Sequence, residues 1–466
     1  MYSAHRRDAT RAARHFRGGS TIDAHSARRE FVAADATRTR RRNAAIRGAY
    51  FSELIDMFDI YLPVVVLTPI MGYFRPPDLA AGHAPVLDSL VFITTLLGRP
   101  LGSVLFGMMA DRIGRRRASI ISVAGFSIVT LLIGLIPGYQ QIGVASYWLL
   151  VALRFVDGIC LGGGYTGAIP LALESSDKAR RGFVGAFILS GFCVAYVAIN
   201  LVALAMFALF PLDGFDSPYA AYGWRIPFVI GAALGGVLAL YYVHHVDESA
   251  VWQAETRSGA ARQPAASLLR GANGRNLLQV VVMMTGFWTT QNLVTLYLPA
   301  VLLPQVLGLS KVEVSTTLLV TFTLLIGSYI GAGVLGQRIG RRRAFLLLAP
   351  AIGTVGGALL YLLGHGAGWP LPAIVALTAA LAILVTAPWG IIVTYINERF
   401  VTEVRASGFG VGFSLSVVVT SFYAIYLEWL ARAVGPQAAP AALMCLGALL
   451  ATLGAALGPE TRDVDF

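Results

Sequence analysis

Gly107-Met-Met-Ala-Asp-Arg-Ile-Gly-Arg-Arg-Arg-Ala118 returns 226 residues later as Gly333-Val-Leu-Gly-Gln-Arg-Ile-Gly-Arg-Arg-Arg-Ala344, with eight of twelve positions identical. Each copy is a short basic connection between two long apolar runs, the second and third of a set of six. The chain therefore reads as a duplication, with one six-helix bundle over 49–246, a polar linker over 247–275 and a second bundle over 276–458.

Working outward, apolar stretches recur at about 49–74, 87–110, 117–138, 147–173, 183–210, 225–246, 276–304, 312–336, 344–364, 370–396, 408–430 and 437–457. Twelve such runs predict an all-α membrane protein, because a span in lipid must satisfy its own backbone hydrogen bonds. Composition agrees: of 466 residues 56% are apolar and 13% charged, against about 45–50% and about 25% in soluble domains. Residues 1–48 hold twelve arginines and no apolar run, which predicts a disordered basic tail; a transit peptide or an over-long start site are the alternatives, and Asp8, Asp23, Glu30 and Asp35 weaken the former.

Charge placement gives orientation. With the tail inside, thirty Lys and Arg fall on one side and four (Arg75, Arg225, Lys311, Arg432) on the other. The positive-inside rule then puts both termini, the linker and the 459–466 tail in the cytoplasm. It also accounts for the formal charge of +11 without nucleic acid as a partner. Trp148, Trp224, Trp369 and Trp429 fall at outer helix ends, as in an interfacial belt. The three cysteines, Cys160, Cys193 and Cys445, have neither metal-site spacing nor the even number of a disulfide framework.

Ionisable residues within spans are expensive and mark function by default. The first bundle concentrates them: Asp56 and Asp59 one turn apart, Arg99 in the second helix, Arg154 and Asp157 one turn apart in the fourth. Residues three apart share a helix face, so these five form one network facing the centre. Asp56, Asp59, Arg154 and Asp157 are candidates for proton coupling, and Arg99 and Arg154 for binding substrate. A carboxylate's hold on a proton depends on whether a neighbouring guanidinium is engaged, so a substrate competing for the arginine is coupled to the proton. The competing reading is a permanent ion pair pinning the helices. In the second bundle Trp288, Gln291 and Asn292 share a face of the seventh helix and suit a small polar metabolite, or serve as glue between helices.

At the loop, Asp111, Arg112, Gly114, Arg115 and Arg116, with Arg181 and Arg405, form a candidate cytoplasmic gate. Asp111 accepts from a helix N-terminus or pairs with Arg405 or Arg181, or else the run is a topological signal alone. Glycines at 98, 102, 162–164, 182, 185, 327, 331, 408, 410 and 412 predict close helix contacts. A nucleotide phosphate loop and metal-protease motifs are absent from the sequence. Neither cofactor nor metal is expected, and the energy source is the proton gradient or that of the substrate.

These residues carry a family likeness over roughly 45–462. The repeated loop resembles the signature of the major facilitator superfamily. Arg99-Pro-Leu-Gly102, Gly162-Gly-Gly-Tyr-Thr-Gly-Ala168, Arg180-Arg-Gly-Phe183, Gly223-Trp-Arg-Ile-Pro-Phe228, the Glu398–Gly408 stretch and Pro459-Glu-Thr-Arg462 resemble its metabolite:proton symporters, which carry organic acids, betaines and related metabolites. Departures are Gly164 for the usual Glu, Asp157 for a Gln, Asp56-Met-Phe-Asp-Ile60 in the first helix, and Gln337 for the second loop Asp. The resemblance implies a monomeric inner-membrane secondary transporter, not an enzyme, importing a small carboxylate-bearing metabolite with protons. A sugar, aromatic acid or zwitterion as cargo, export, a transporter-derived receptor and a membrane-embedded transferase are the alternatives.

Overall fold

The computed structural model describes residues 21–76, 84–211, 217–257 and 268–466. Contacts divide the chain into Met1–Ala44 and Ala45–Phe466. Among the described residues the regular structure is entirely helical, with twelve rods in chain order. The first six are α1 (Thr21–Val66, followed by a 3-10 turn at Thr68–Tyr73), α2 (Ala84–Ile113), α3 (Arg115–Gly134), α4 (Ala145–Glu174), α5 (Arg181–Leu209) and α6 (Arg225–His245). After a short linker helix at Ala250–Arg257 come α7 (Gly271–Asn292, continued by the π-helical Leu293–Val306), α8 (Lys311–Ile339) and α9 (Arg341–Ala351, continued to Gly364). The last are α10 (Leu371–Thr386 and Trp389–Glu398), α11 (Arg405–Thr420 and Tyr423–Val434) and α12 (Ala439–Leu457).

Nine of the described helices are long and apolar enough to cross a membrane, or ten with the two parts of α11, which meet at 45°. The rods outside that set are α1 and α7, the first helix of each half. Both carry polar residues mid-span: Glu53, Asp56 and Asp59 in one, Gln291 and Asn292 in the other. Outward faces of the remaining rods are apolar and exposed, as at Ile128, Leu132, Val237, Leu240, Leu449 and Leu453, which suits lipid as the surrounding solvent.

Three sequence expectations are corrected. Over 21–48 the expected disorder gives way to helix, because α1 begins at Thr21; once a long helix is nucleated, Ala- and Arg-rich residues extend it at little cost, and residues 1–20 lie outside the described set. Trp224 is fully buried, wedged among Tyr73, Phe74 and Phe228, and so leaves the interfacial belt. Gly327 and Gly331 face open space rather than another helix. Ten of the linker's 29 residues (258–267) lie outside the described residues.

Close packing of α2 on α4 positions the charged centre. A Cβ at Gly102 would stand 1.9 Å from the Ile159 carbonyl oxygen, and one at Gly158 2.2 Å from that of Thr95. Only glycine permits this approach, which presents Arg99 and Arg154 to α1 from adjacent helices.

Candidate functional site

Five of the sequence-selected residues meet at the centre of the first half. Arg99 of α2 pairs with Asp56 of α1 at 3.2 Å, and its guanidinium lies 5.0 Å from the centre of the Tyr165 ring of α4. Arg154 Nη1 sits 2.7 Å from Asp157 and 3.9 Å from Asp59. Thr130 of α3 donates to Asp59 at 2.6 Å, and Arg154 reaches the Ile60 carbonyl at 3.4 Å. All four carboxyl-bearing residues of this cluster, Glu53 included, are buried. The network is thus two ion-pair groups side by side, Asp56–Arg99 and Asp59–Arg154–Asp157. Its polar capacity is incompletely used: Asp56 Oδ1, Asp157 Oδ1 and Arg154 Nε are buried without hydrogen-bond partners, which is costly unless something else engages them.

The second half presents rings and amides to this network. Trp288 stands edge-on to Trp389 at 4.5 Å and to Phe413 at 5.5 Å, and Phe413 lies 5.3 Å from Tyr165, the ring under Arg99. A continuous aromatic wall therefore joins the arginine of one half to the tryptophans of the other. Ser414 of α11 donates to Ser103 at 3.0 Å, and Ser103 is 2.6 Å from the Tyr165 hydroxyl. Trp288 donates to the Phe413 carbonyl and Asn292 to that of Thr420, each spanning α7 to α11. Gln291 is different: its Oε1 is buried and unpartnered, as is the Trp389 indole N–H. These two atoms remain available to hydrogen-bond a ligand.

At the arginine-rich end the duplicated motif builds the same scaffold twice. Gly114 and Gly340 take φ of +108° and +103°, a backbone region that β-carbon sterics deny to other residues. Each glycine opens a helix whose first N–H groups are capped by a glutamate: Glu248 accepts from Arg115 and Arg116, Glu460 from Arg341 and Arg342. A Cβ at either glycine would collide with that carboxylate. Arg115 then reaches Glu174 at 3.4 Å and Arg341 reaches Glu398 at 3.1 Å. Ser249 and Thr461 donate to these same two glutamates.

Across the halves this end is closed. Asp111 accepts from the N-terminus of α11 (Ala406 N at 3.3 Å, Ser407 N at 3.0 Å, Ser407 Oγ at 2.6 Å). Of the three partners considered from sequence, the helix N-terminus is the one found. Asp111's ion pair is with Arg115, while Arg405 pairs with Glu174 at 2.8 Å. Arg181 donates to the Val464 carbonyl at 2.8 Å. Gln337 repeats the arrangement without charge, accepting from Gly182 N at the start of α5 at 3.0 Å. Arg115 also crosses to the Thr402 carbonyl at 2.8 Å. Arg116 caps the end of α6 through the Tyr242 and Val243 carbonyls, and Arg112 is exposed.

The C-terminal residues bind over this closure. The Phe466 ring lies 3.7 Å from the Arg181 guanidinium and 4.0 Å from that of Arg405. A hydrogen bond from Lys178 at 2.9 Å holds the Asp465 carboxylate below its usual range.

Sequence reasoning passed over several of these groups. Glu53 precedes Asp56 by one turn, a spacing legible in the sequence. Of the buried acids of the closed end, Glu174 sits at a helix end that reads as an ordinary boundary, and Glu398 is legible only as the first residue of a family stretch. Tyr165 was legible only as part of a glycine motif.

Comparison with known proteins places this geometry. The family model "Major Facilitator Superfamily" matches residues 49–424. The inner membrane metabolite transport protein YhjE of Escherichia coli K12 is 28% identical over 422 residues, covering 88% of this chain and 94% of that protein. The proline/betaine transporter of the same organism is 27% identical over 435 residues, covering 90% and 84%. Among solved structures, the proton:xylose symporter XylE of E. coli superposes with a TM-score of 0.72 at 17% identity, over 91% of this chain and 97% of that one; at that identity the likeness is one of fold. The duplicated basic loop, the paired six-helix halves and these relatives together show that the chain belongs to the major facilitator superfamily, as a multi-pass membrane protein that transports metabolites and not an enzyme.

Proposed function

We propose that this protein is a proton-coupled symporter that imports a small, carboxylate-bearing organic metabolite by alternating access. The observation that carries the reading is Arg154, one buried guanidinium 2.7 Å from Asp157 and 3.9 Å from Asp59. Protonating one acid commits the arginine to the other, and a rearrangement of that pair is sensed by α1 and α4 together. Arg99 provides the link to cargo: a substrate carboxylate that displaces Asp56 from Arg99 leaves a buried acid needing a proton. Trp288, Gln291 and Asn292, with Trp389, form the opposite wall and orient the polar remainder of the substrate.

The same reading puts the arginine-rich end, both termini and the linker in the cytoplasm of a cell whose inner membrane holds the protein as a monomer. The closed contacts of Asp111, Arg115, Arg181 and Arg405 are then the cytoplasmic gate, with Arg112, Gly114 and Arg116 supporting the loop. Bundles at 49–246 and 276–458 rock about the site between them. Protons and substrate are the only solutes required; the bilayer is the third partner.

A zwitterion is the second reading, favoured by one observation. Both central arginines already have acids, and Glu53, Asp56, Asp59 and Asp157 outnumber Arg99 and Arg154, which leaves room for a cationic group. The test is uptake into proteoliposomes under an imposed pH gradient, with radiolabelled succinate, proline and glycine betaine as probes. Gradient-driven accumulation lost in Asp59→Asn, with exchange retained, supports symport; accumulation unaffected by the gradient overturns it. The preferred probe decides between anion and zwitterion.

A further inference from the structure

We infer that Glu53 is a second proton-carrying residue, holding a proton while the arginine-rich end is shut and releasing it to water when that end opens. This rests on the proton-coupled reading above. Glu53, Asp56 and Asp59 stand at three-residue intervals on α1, each rung about 4.5 Å further along the axis at about 1.5 Å per residue, and none is more than 3% exposed. Their surroundings differ. Asp56 has Arg99, while Asp59 and Asp157 share Arg154. Glu53 has no cation within 4.0 Å among the described residues, and its Oε1 is buried without a hydrogen-bond donor.

The groups within electrostatic reach of Glu53 lie on α1 and on three of the helices around it. They are Asp56 and Tyr61 on α1 itself, Arg99 on α2, Cys193 on α5 and Tyr329 on α8. Arg99 is the sole cation among them, and its guanidinium is committed to Asp56. An isolated buried carboxylate is a costly arrangement, whereas the protonated acid is a neutral group able to donate. Glu53 is therefore the one acid of the four that binds a proton with no ion pair broken. It also lies on the side of Asp56 nearer the arginine-rich end, where Gly48 abuts Tyr242 and Val246 at the end of α6. When the halves part there, water reaches Glu53 before Asp56. The carboxyl O–H bond breaks, the bonding pair stays on oxygen as the carboxylate, and the proton leaves on water.

The test reads the proton itself. The full chain reconstituted in lipid is titrated while infrared spectra record the C=O stretch of protonated carboxyl groups. The parent shows a protonated band persisting to pH values at which exposed carboxylates are ionised; Glu53→Gln removes that component, and Glu53→Asp shifts it. Gln has the shape of the protonated acid, so folding is retained, and Glu53→Asp gives a second variant that keeps the titratable group. In proteoliposomes Glu53→Gln also lowers gradient-driven accumulation of whichever probe is carried at least tenfold, with exchange preserved. A band unchanged in both variants overturns the inference and leaves Asp59 as the coupling acid. Conversely, Asp59→Asn accumulating like the parent overturns the coupling assignment at Asp59, while the Glu53 band still decides the inference.

Discussion

Asp111→Ala is expected to loosen the arginine-rich end far more than Gln337→Ala, by an amount the contacts themselves set. Asp111 is 10% exposed and ion-paired with Arg115, and it accepts short bonds from Ser407 N at 3.0 Å and Ser407 Oγ at 2.6 Å, with a longer one from Ala406 N at 3.3 Å. A hydrogen bond to a charged group contributes about 1.5–3 kcal/mol. Allowing for water that replaces part of this once the end opens, loss of the two short bonds costs the closed state about 2–4 kcal/mol, or roughly thirty- to a thousandfold in its population at about 1.4 kcal/mol per tenfold. Across the halves Gln337 accepts from Gly182 N at 3.0 Å and donates a long bond to the Lys178 carbonyl at 3.4 Å; the shorter neutral bond is worth about 0.5–1.5 kcal/mol, or roughly two- to tenfold. The readout is alkylation of Ser414→Cys, a residue 1% exposed against Ser103 across the halves, in a chain with Cys160, Cys193 and Cys445 replaced by Ala. The Asp111→Ala background should react at least tenfold faster than Gln337→Ala. Equal rates in the two backgrounds, or no increase for Asp111→Ala, would refute the assignment of closure to this carboxylate and leave the loop a topological signal.

Four other outcomes follow from the same contacts. Arg154→Ala should destabilise the protein by about 3–5 kcal/mol, because it strands buried acids; Asp157→Asn should rescue more of that loss than Asp59→Asn, the order of their distances, as measured by denaturant unfolding of single and double variants. Phe466→Ala removes the ring shared by Arg181 and Arg405; each cation–π contact is worth about 0.5–2 kcal/mol, so Ser414→Cys should alkylate several-fold faster in that background. Gln337→Asp should slow turnover without changing substrate affinity, since a carboxylate there strengthens the bond to Gly182 N; a rate equal to the parent's counts against that. Single cysteines at Gly308 and Thr256 should label from opposite sides of the membrane, and labelling of both from outside would reverse the topology.

Long apolar runs and a twelve-residue repeat were enough to fix helix number, order and pairing of the halves, because those features report solvent and duplication directly. Charge pairing was legible only in part. The i to i+3 spacing of Arg154 and Asp157 is local and was read correctly as a shared face, and they meet at 2.7 Å. The choice of Asp56 rather than Asp59 for Arg99 depends on the depth at which α2 crosses α1, and that depth is set by glycine contacts between α2 and α4 which no spacing reveals. The capping role of Glu248 and Glu460 has no sequence signal for a related reason: a cap on a helix start from over a hundred residues away has no sequence period. Residues 21–48 carry no apolar run, so the helix found there has no signal in composition.

The two halves share a scaffold and divide the chemistry. Gly114 and Gly340, Glu248 and Glu460, Arg115 and Arg341, Glu174 and Glu398 occupy equivalent places, so the ends that open and close are nearly symmetric. The centres are not: ion pairs fill the first half, while rings and amides line the second. A substrate held only by Trp288, Gln291 and Trp389 would leave the proton-binding acids unaffected, and one held only by Arg99 would leave the second half indifferent to its presence. Coupling requires a ligand that engages both, and the Arg99–Tyr165–Phe413–Trp288 chain of contacts is the line along which the halves already meet. On the proposed reading, a metabolite inserted there would separate Arg99 from Asp56 on one side and engage Gln291 on the other. Binding would then be felt at once by the charge network and by the surface across which the halves must move, which an equal division of charge between the halves would not achieve.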